Sequence, residues 1–383
     1  MALDTNSENP ALLRVEGLVK TFGPVKALAG VELTIRSGEI HALLGENGAG
    51  KSTTVKCITG VYEPNRGKII LEGKEIRPNS TRDAENIGIS TVYQEVNLLP
   101  NLSVEENITL GRQKTKFLGM IERKSASLRA ESALEKLGVK IDLKRQLSEL
   151  PVALQQMVAL ARALDVDSKV LILDEPTASL DENEVQQLFE VMNRLRDKGI
   201  AIVFITHFLD QVFQMSDRVT VLRNGAFIAE HLTRELSKSV LLSDMIGKSF
   251  EMIATEPKEL PPLENGEVRA TRLSVSNVER MGMIKNLNLD ILEGEVVGLA
   301  GLLGSGRTEC ARLIFGIDKP ENGSVHVSGK SVQSGSPSSA LANGIMLASE
   351  DRKTEGIFPN LTVLENIVIA LQARRGMLNR IRG

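Results

Sequence analysis

The chain has 383 residues, 42% hydrophobic and 25% charged, with a formal net charge of −3. This composition fits a globular protein of about two or three domains, without the basic field that favours nucleic acid; with no Trp and 3% aromatics, a base-stacking surface for single strands is not expected either. No apolar run approaches the ~18–20 residues that span a bilayer, "MALDTNSENP" lacks a signal-peptide core, and Cys57 and Cys310, with no CxxC or His neighbours, read as buried reduced thiols rather than as a metal site or disulfide.

In chain order, the first informative element is "IHALL" (40–44), followed by "GENGAGKST" (45–53) and the helix-like "TVKCIT". G-x-x-x-x-G-K-[ST] between a strand and a helix is a phosphate-binding loop. In Gly45-Glu46-Asn47-Gly48-Ala49-Gly50-Lys51-Ser52-Thr53 the glycines let backbone N–H groups converge on phosphate oxygens, and the helix start adds partial positive charge. Lys51 is expected to hold the β- and γ-phosphates and Ser52 to ligate Mg²⁺. Further on, "VLILDEP" (170–176) and "AIVFITH" (201–207) open as short apolar runs, predicted strands of a mainly parallel sheet buried on both faces. Asp174 ends its strand as a candidate Mg²⁺ ligand, and Glu175 follows where it could polarise an attacking water. Between these strands, 181–199 predicts a helix. Asp181 is its N-cap with Glu184 three residues on, Leu188, Met192 and Leu195 line one face, and Gly199 ends it. "RVTVLRNGAFIAE" (218–230) predicts a hairpin turning at Asn224-Gly225. The alternation of strands and helices makes the first unit, 12–250, an α/β domain. Residues 251–267, rich in Pro and Glu, read as a linker, and a second unit runs over 268–383.

The second unit repeats the first. "SGEIHALLGENGAGKST" (37–53) and "EGEVVGLAGLLGSGRTE" (293–309) align without gaps, with Gly45 and Gly301 separated by 256 positions (301 − 45). "ITGVYEPNRGKIILEGKEI" (58–76) matches "IFGIDKPENGSVHVSGKSV" (314–332) at the same offset, and "LPNLSVEENI" (99–108) matches "FPNLTVLENI" (358–367) three positions later. The second loop keeps Gly301, Gly304, Gly306 and Thr308 but has Arg307 in place of lysine. Arginine is planar and bulkier, so it can touch phosphate without reproducing the lysine's point-charge geometry.

These residues, in this order, resemble the ATP-binding cassette ATPases across essentially the whole chain, which implies a P-loop NTPase fold in tandem with an incomplete second copy. The resemblance implies further roles. Gln94 in "VYQE" matches a glutamine that senses Mg²⁺ and the membrane partner, His207 a switch histidine, and Phe22 in "KTFGPVKAL" the aromatic that stacks on adenine. "SLD" (179–181) matches the D-loop. Leu150-Pro151-Val152-Ala153-Leu154-Gln155 takes the place of the signature. There Pro151 replaces a serine whose hydroxyl bonds phosphate, and Ala153 replaces a glycine; as a residue at the first helical position, Pro151 still starts a helix well. Within the family the chain resembles tandem-cassette ATPases of monosaccharide importers. Its wording is nearest to galactofuranose importers, with ribose and galactoside or methyl galactoside importers as alternatives and an inactive truncated remnant as another. The resemblance implies ATP and Mg²⁺, integral-membrane sugar permease subunits, a periplasmic sugar-binding protein reached indirectly, a second copy of the chain as partner, and a peripheral place on the cytoplasmic face of the inner membrane. Nucleic acid is not an expected partner.

Overall fold

A computed structural model describes residues 10–93, 98–113, 122–178, 180–247, 269–301, 305–349 and 355–375. It divides into two compact units, 1–255 and 256–383. In the first, β1 (Ala11–Phe22) and β2 (Val25–Arg36) form a hairpin, and β3 (Ile40–Leu44) runs straight into the phosphate loop and α1 (Lys51–Ile58). β4 (Arg66–Leu71), β5 (Lys74–Ile76), α2 (Thr81–Asn86) and β6 (Ile89–Val92) follow. Then come three helices, α3 (Val104–Thr109), α4 (Arg123–Leu137) and α5 (Val152–Leu164). The unit closes with β7 (Val170–Asp174), α6 (Glu182–Asp197), β8 (Ala201–Ile205), α7 (Leu209–Met215), β9 (Arg218–Arg223), β10 (Ala226–Leu232) and α8 (Lys238–Ile246).

Two sheets result. One is antiparallel, in the order β2-β1-β4-β5. The other runs β10-β9-β3-β8-β7-β6 and is parallel except for β10 at its edge. The central strands β3 and β8 are buried at every residue, as continuous apolar runs with helices or a sheet on both faces must be. α1 lies in the core shared by the two sheets, and α4, α5 and α6 pack in a second core against β7 and β8. Two local predictions hold in detail. Asp181 and Glu184 form a reciprocal capping box at the start of α6, and Asn224 and Gly225, both at positive φ, turn β9 into β10. One is corrected. Pro151 is the N-cap of α5, not its first helical residue: its ψ of 153° is extended, and the helix begins at Val152.

In the second unit β11 (Thr271–Arg280), β12 (Ile284–Leu292), β13 (Asn322–Val327) and β14 (Lys330–Val332) form an antiparallel sheet of order β12-β11-β13-β14. This is the order of the first unit's antiparallel sheet. Its helices are α9 (Arg307–Phe315), α10 (Pro337–Ala342) and α11 (Val363–Arg375). Residues 296–300, which repeat β3, form no strand. Val296 is 96% exposed where Ile40 is fully buried. Cys57 is buried as expected, and burial pushes its thiol up to about 11. Cys310 is only half-buried, against expectation: among the described residues no central sheet covers α9 as the sheet around β3 covers α1.

Candidate functional site

The site forms at the C-terminal ends of the adjacent strands β3, β8 and β7, where open α/β sheets place ligands. After β3 the chain takes left-handed turns at Gly45, Gly48 and Gly50, with φ of 151°, 84° and 101°. A Cβ on Gly45 would collide with the Leu222 carbonyl and the Ala49 methyl, so this glycine lets the loop pass against β9. The hairpin turn braces the loop from below: Gly225 N–H donates to the Ala49 carbonyl at 3.1 Å. Gly50 caps α1, which begins at Lys51. The Lys51 ammonium donates to the carbonyls of Gly45 (2.7 Å) and Glu46 (3.1 Å), so it points back over the loop rather than away from it. Ser52, one residue on, is exposed.

Across the sheet, Asp174 ends β7 and Glu175 follows with a φ of 49°, an uncommon left-handed backbone for a non-glycine residue. Its N–H is held by the Ile205 carbonyl of β8 at 2.9 Å. His207, two residues beyond β8, brings Nδ1 to 3.4 Å from Glu175 Oε1. Burial lowers the Lys51 ammonium below the usual lysine range, partly offset by the negative charges of Glu175 and Asp174. Burial, then the charge of Glu175, raises the Asp174 carboxyl, opposed by Lys51 and Lys56. These shared causes place one ammonium and two carboxylates in a single electrostatic neighbourhood with the imidazole at its rim. A cation beside a cradle of N–H groups can hold phosphate, and a carboxylate paired to a histidine can orient water toward it.

Phe22 ends β1 and is 42% exposed. The segment from Leu150 to Gln155 starts α5 in the helical lobe. Gln155 Nε2 donates to the Leu150 carbonyl at 2.9 Å, Ala153 is buried, and Pro151 and Val152 face solvent. No hydrogen bond or ion pair among the described residues joins this segment to the phosphate loop, so the structure leaves it apart from Lys51. Gln94, Ser179 and Gly304 lie outside the described residues. In the second copy Gly306 (φ 91°) caps α9 as Gly50 caps α1, and Arg307 and Thr308 begin the helix exposed. Gly301 shows no left-handed φ.

Sequence reasoning missed the residues that brace the site. Gln211 Oε1 accepts from Thr177 Oγ1 (2.7 Å) and lies 3.3 Å from Thr206 Oγ1, tying the turn after Glu175 to the one before His207. Phe208 lies against the His207 ring, centroids 4.0 Å apart. Tyr62 packs against Phe22. Only Tyr62 left a trace in the sequence, as an aromatic opposite Asp318 in the aligned repeat.

Comparison with known proteins agrees with this geometry. The family described as "ABC transporter" matches residues 28–178 and 284–382. The galactofuranose transporter ATP-binding protein YtfR of Escherichia coli K12 is 48% identical over 377 residues, 98% of this chain and 74% of that protein. The fructose import ATP-binding protein FruK of Bifidobacterium longum is 48% identical over 380 residues, 98% and 73%. The ribose import ATP-binding protein RbsA 1 of Rubrobacter xylanophilus is 42% identical over 359 residues, 94% and 70%. Among solved structures, the ADP conformation of the ABC transporter cassette MJ1267 superposes with a TM-score of 0.56 and 29% identity, covering 62% of this chain and all of that one. The resemblance read from the motifs is thereby borne out. The chain belongs to the ABC transporter family of ATPases, with the family's domain present in two copies.

Proposed function

We propose that the first unit binds and hydrolyses ATP to drive monosaccharide import through integral-membrane permease subunits. The observation that carries this reading is the convergence of Lys51, Asp174, Glu175 and His207 at the ends of three neighbouring strands. In it Lys51 holds the β- and γ-phosphates over the loop, Glu175 orients the attacking water, and His207 holds Glu175 and reports the γ-phosphate. The residues fit Mg²⁺ brought by the nucleotide. Ser52 presents an exposed hydroxyl and Asp174 a carboxylate at the loop's edge, while the described residues contain no cluster of three His, Cys, Asp or Glu to hold a metal alone. Bound Mg²⁺ would neutralise charge on the phosphates, with Gln94 as a further contact. Phe22 is the adenine-stacking residue.

Importer function is supported by relatives named for galactofuranose, fructose and ribose. Equal identity to the galactofuranose and fructose proteins leaves the reading at the level of a monosaccharide. The chain would work peripherally on the cytoplasmic face of the inner membrane, meeting a periplasmic sugar-binding protein only through the permease. Among the described residues no helix is long and apolar enough to cross a membrane. The second unit is read as a structural or regulatory half. Each nucleotide needs a signature segment from a second cassette, so two chains would pair with Leu150–Gln155 of one facing Lys51 of the other. Pro151 brings no hydroxyl to that contact, a deficit of about 1.5–3 kcal/mol for a hydrogen bond to a charged group. The purified chain is therefore expected to bind ATP and release phosphate slowly, at a rate per chain that rises with chain concentration. Phosphate release measured over a concentration series checks this. A constant rate removes the pairing, and absence of ATP binding removes the function.

A further inference from the structure

Phe22 sits at the tip of the β1–β2 hairpin, and the loop that follows α1 grips that tip. The Tyr62 ring meets the Phe22 ring edge to face, with centroids 5.1 Å apart and planes at 72°. Asn65 Oδ1 accepts from Thr21 N–H at 2.8 Å, and Lys20 Nζ donates to the Glu63 carbonyl at 2.7 Å. Lys20 Nζ also stands 5.2 Å from the Phe22 ring centre and 5.8 Å from that of Tyr62, and Lys56 Nζ stands 5.4 Å from Tyr62. Two ammonium groups and a phenylalanine thus surround one tyrosine, itself packed on the core beneath α1.

The second copy shows these positions with a different chemistry. Lys56 and Tyr62 correspond to Arg312 and Asp318, each 256 positions on (312 − 56 and 318 − 62). Strand register gives the counterpart of Lys20. Val19 pairs with Arg66 and Glu279 with Asn322, so the next residue on β11, Arg280, stands for Lys20. Arg280 pairs with Ile284 as Lys20 pairs with Leu28, with three residues between them instead of seven, so the second hairpin turns earlier and has no counterpart of Phe22. There the Asp318 carboxylate takes Arg280 Nη1 at 2.7 Å and Arg312 Nε at 3.0 Å. Two cations around a π face have become two cations on a carboxylate. The tyrosine is present in the copy that has the phenylalanine and absent from the copy that lacks it. Closing the end of the helix does not require an aromatic ring, since the second copy closes it with an ion-pair cluster.

We infer that Tyr62 is a positioning residue for base recognition. Its ring holds Phe22 in one orientation, with the exposed side of Phe22 free to stack on a purine. This rests on the reading of Phe22 as the adenine-stacking residue. Fixing an aromatic before the ligand arrives removes the ordering cost from binding and adds an aromatic pair. By the same argument the second copy offers no base platform, whatever Arg307 does with phosphate.

The test uses the full chain and two ligands, ATP and inorganic tripolyphosphate, which has the phosphates without the base. Dissociation constants are measured by calorimetry for the native chain, Phe22→Ala, Tyr62→Ala, Tyr62→Phe and the Phe22→Ala/Tyr62→Ala double variant. Tyr62→Ala is expected to weaken ATP binding roughly three- to tenfold, with Tyr62→Phe restoring it to within about twofold. Tripolyphosphate binding should be unchanged throughout, and the double variant should be no weaker than Phe22→Ala alone. Equal losses for ATP and tripolyphosphate in Tyr62→Ala would make the role structural and overturn the inference. So would a loss that adds to that of Phe22→Ala, or no loss at all. If Phe22→Ala leaves ATP binding intact, the reading of Phe22 fails first, visibly and by itself, and the inference falls with it. Tyr62→Leu, which keeps apolar bulk without a π face, carries the same expectation should Tyr62→Ala not fold.

Discussion

Helices α3 and α11 are the same corner built twice. In the first unit Ser103 and Glu106 form a capping box, and Asn107 plugs the preceding loop. Its Nδ2 donates to the carbonyls of Leu99, Leu102 and Ser103, and its Oδ1 accepts from Leu99 N–H. In the second unit Thr362 and Glu365 make the same box, and Asn366 the same four bonds, to Phe358, Leu361 and Thr362. Yet Val104 and Ile108 are fully buried, while Val363 and Ile367 are 78% and 62% exposed. The first pair lies in the core built with α4 and α5. The bonds of the corner close within about ten residues and form wherever the sequence occurs. Burial needs partners from far along the chain, and only one copy has them among the described residues.

The sharpest way to break this contrast is at Glu175. The described part of the second copy offers no corresponding strand, so one substitution in the first should remove turnover. Glu175→Gln is expected to keep ATP binding and to lower phosphate release by about 10²–10⁴-fold. Release at the native rate would mean that another group orients the water.

The next contrast is between β3 and its repeat. Leu43→Ala, in a fully buried strand, should cost about 2–5 kcal/mol. Val296→Ala, at a 96% exposed position, should stay within about 0.5 kcal/mol. Denaturant unfolding of the two variants compares them directly, and a large loss from Val296→Ala would show that 296–300 is packed after all.

The two phosphate loops come third. Removing Lys51, whose ammonium lies over its loop, should weaken ATP roughly 10- to 100-fold, about 1.5–3 kcal/mol. Arg307→Ala, at an exposed position, should change it by less than about twofold. Binding of a fluorescent ATP analogue measures both; equal losses would make the second loop a full partner.

The smallest expected effect concerns the twin caps. Glu106 and Glu365 are both held below the usual carboxylate range, first by the backbone N–H of the capping residue and then by its hydroxyl. A carboxylate depressed in the folded state stabilises above its unfolded value and loses that contribution as pH falls through the folded one. Amide exchange at Ser103 and Thr362 should therefore speed up together as pH falls below about 4.5, once corrected for the intrinsic pH dependence of exchange. A response at Ser103 alone would mean that a neighbour present only in the first unit, the Arg123 charge near Glu106, rather than the local bond, lowers the carboxyl.

Much of the site was legible before any coordinates. The phosphate loop, the acidic strand end and the histidine are each written within a few residues, as are the Asp181 cap and the Asn224-Gly225 turn. Less legible was what braces them, because Gln211, Tyr62 and Phe208 act through contacts whose distances no local spacing encodes. Pro151 shows the limit at a single residue. Proline sets its own φ near the helical value, but ψ follows from how the segment joins the lobe, and here it is extended.

The sequence by itself determined the repeat that runs through both units and the elements whose bonds are local: the loop and helix around Lys51, the capping boxes and the hairpins. Tertiary structure alone decided which repeated elements became core. Leu43 and Leu299 occupy the same place in the repeat, yet the first is fully buried between β8 and β9 and the second is 46% exposed. An apolar run becomes a buried strand only when neighbouring strands satisfy its backbone N–H and C=O groups and helices or a sheet cover its faces, and those partners come from distant parts of the chain.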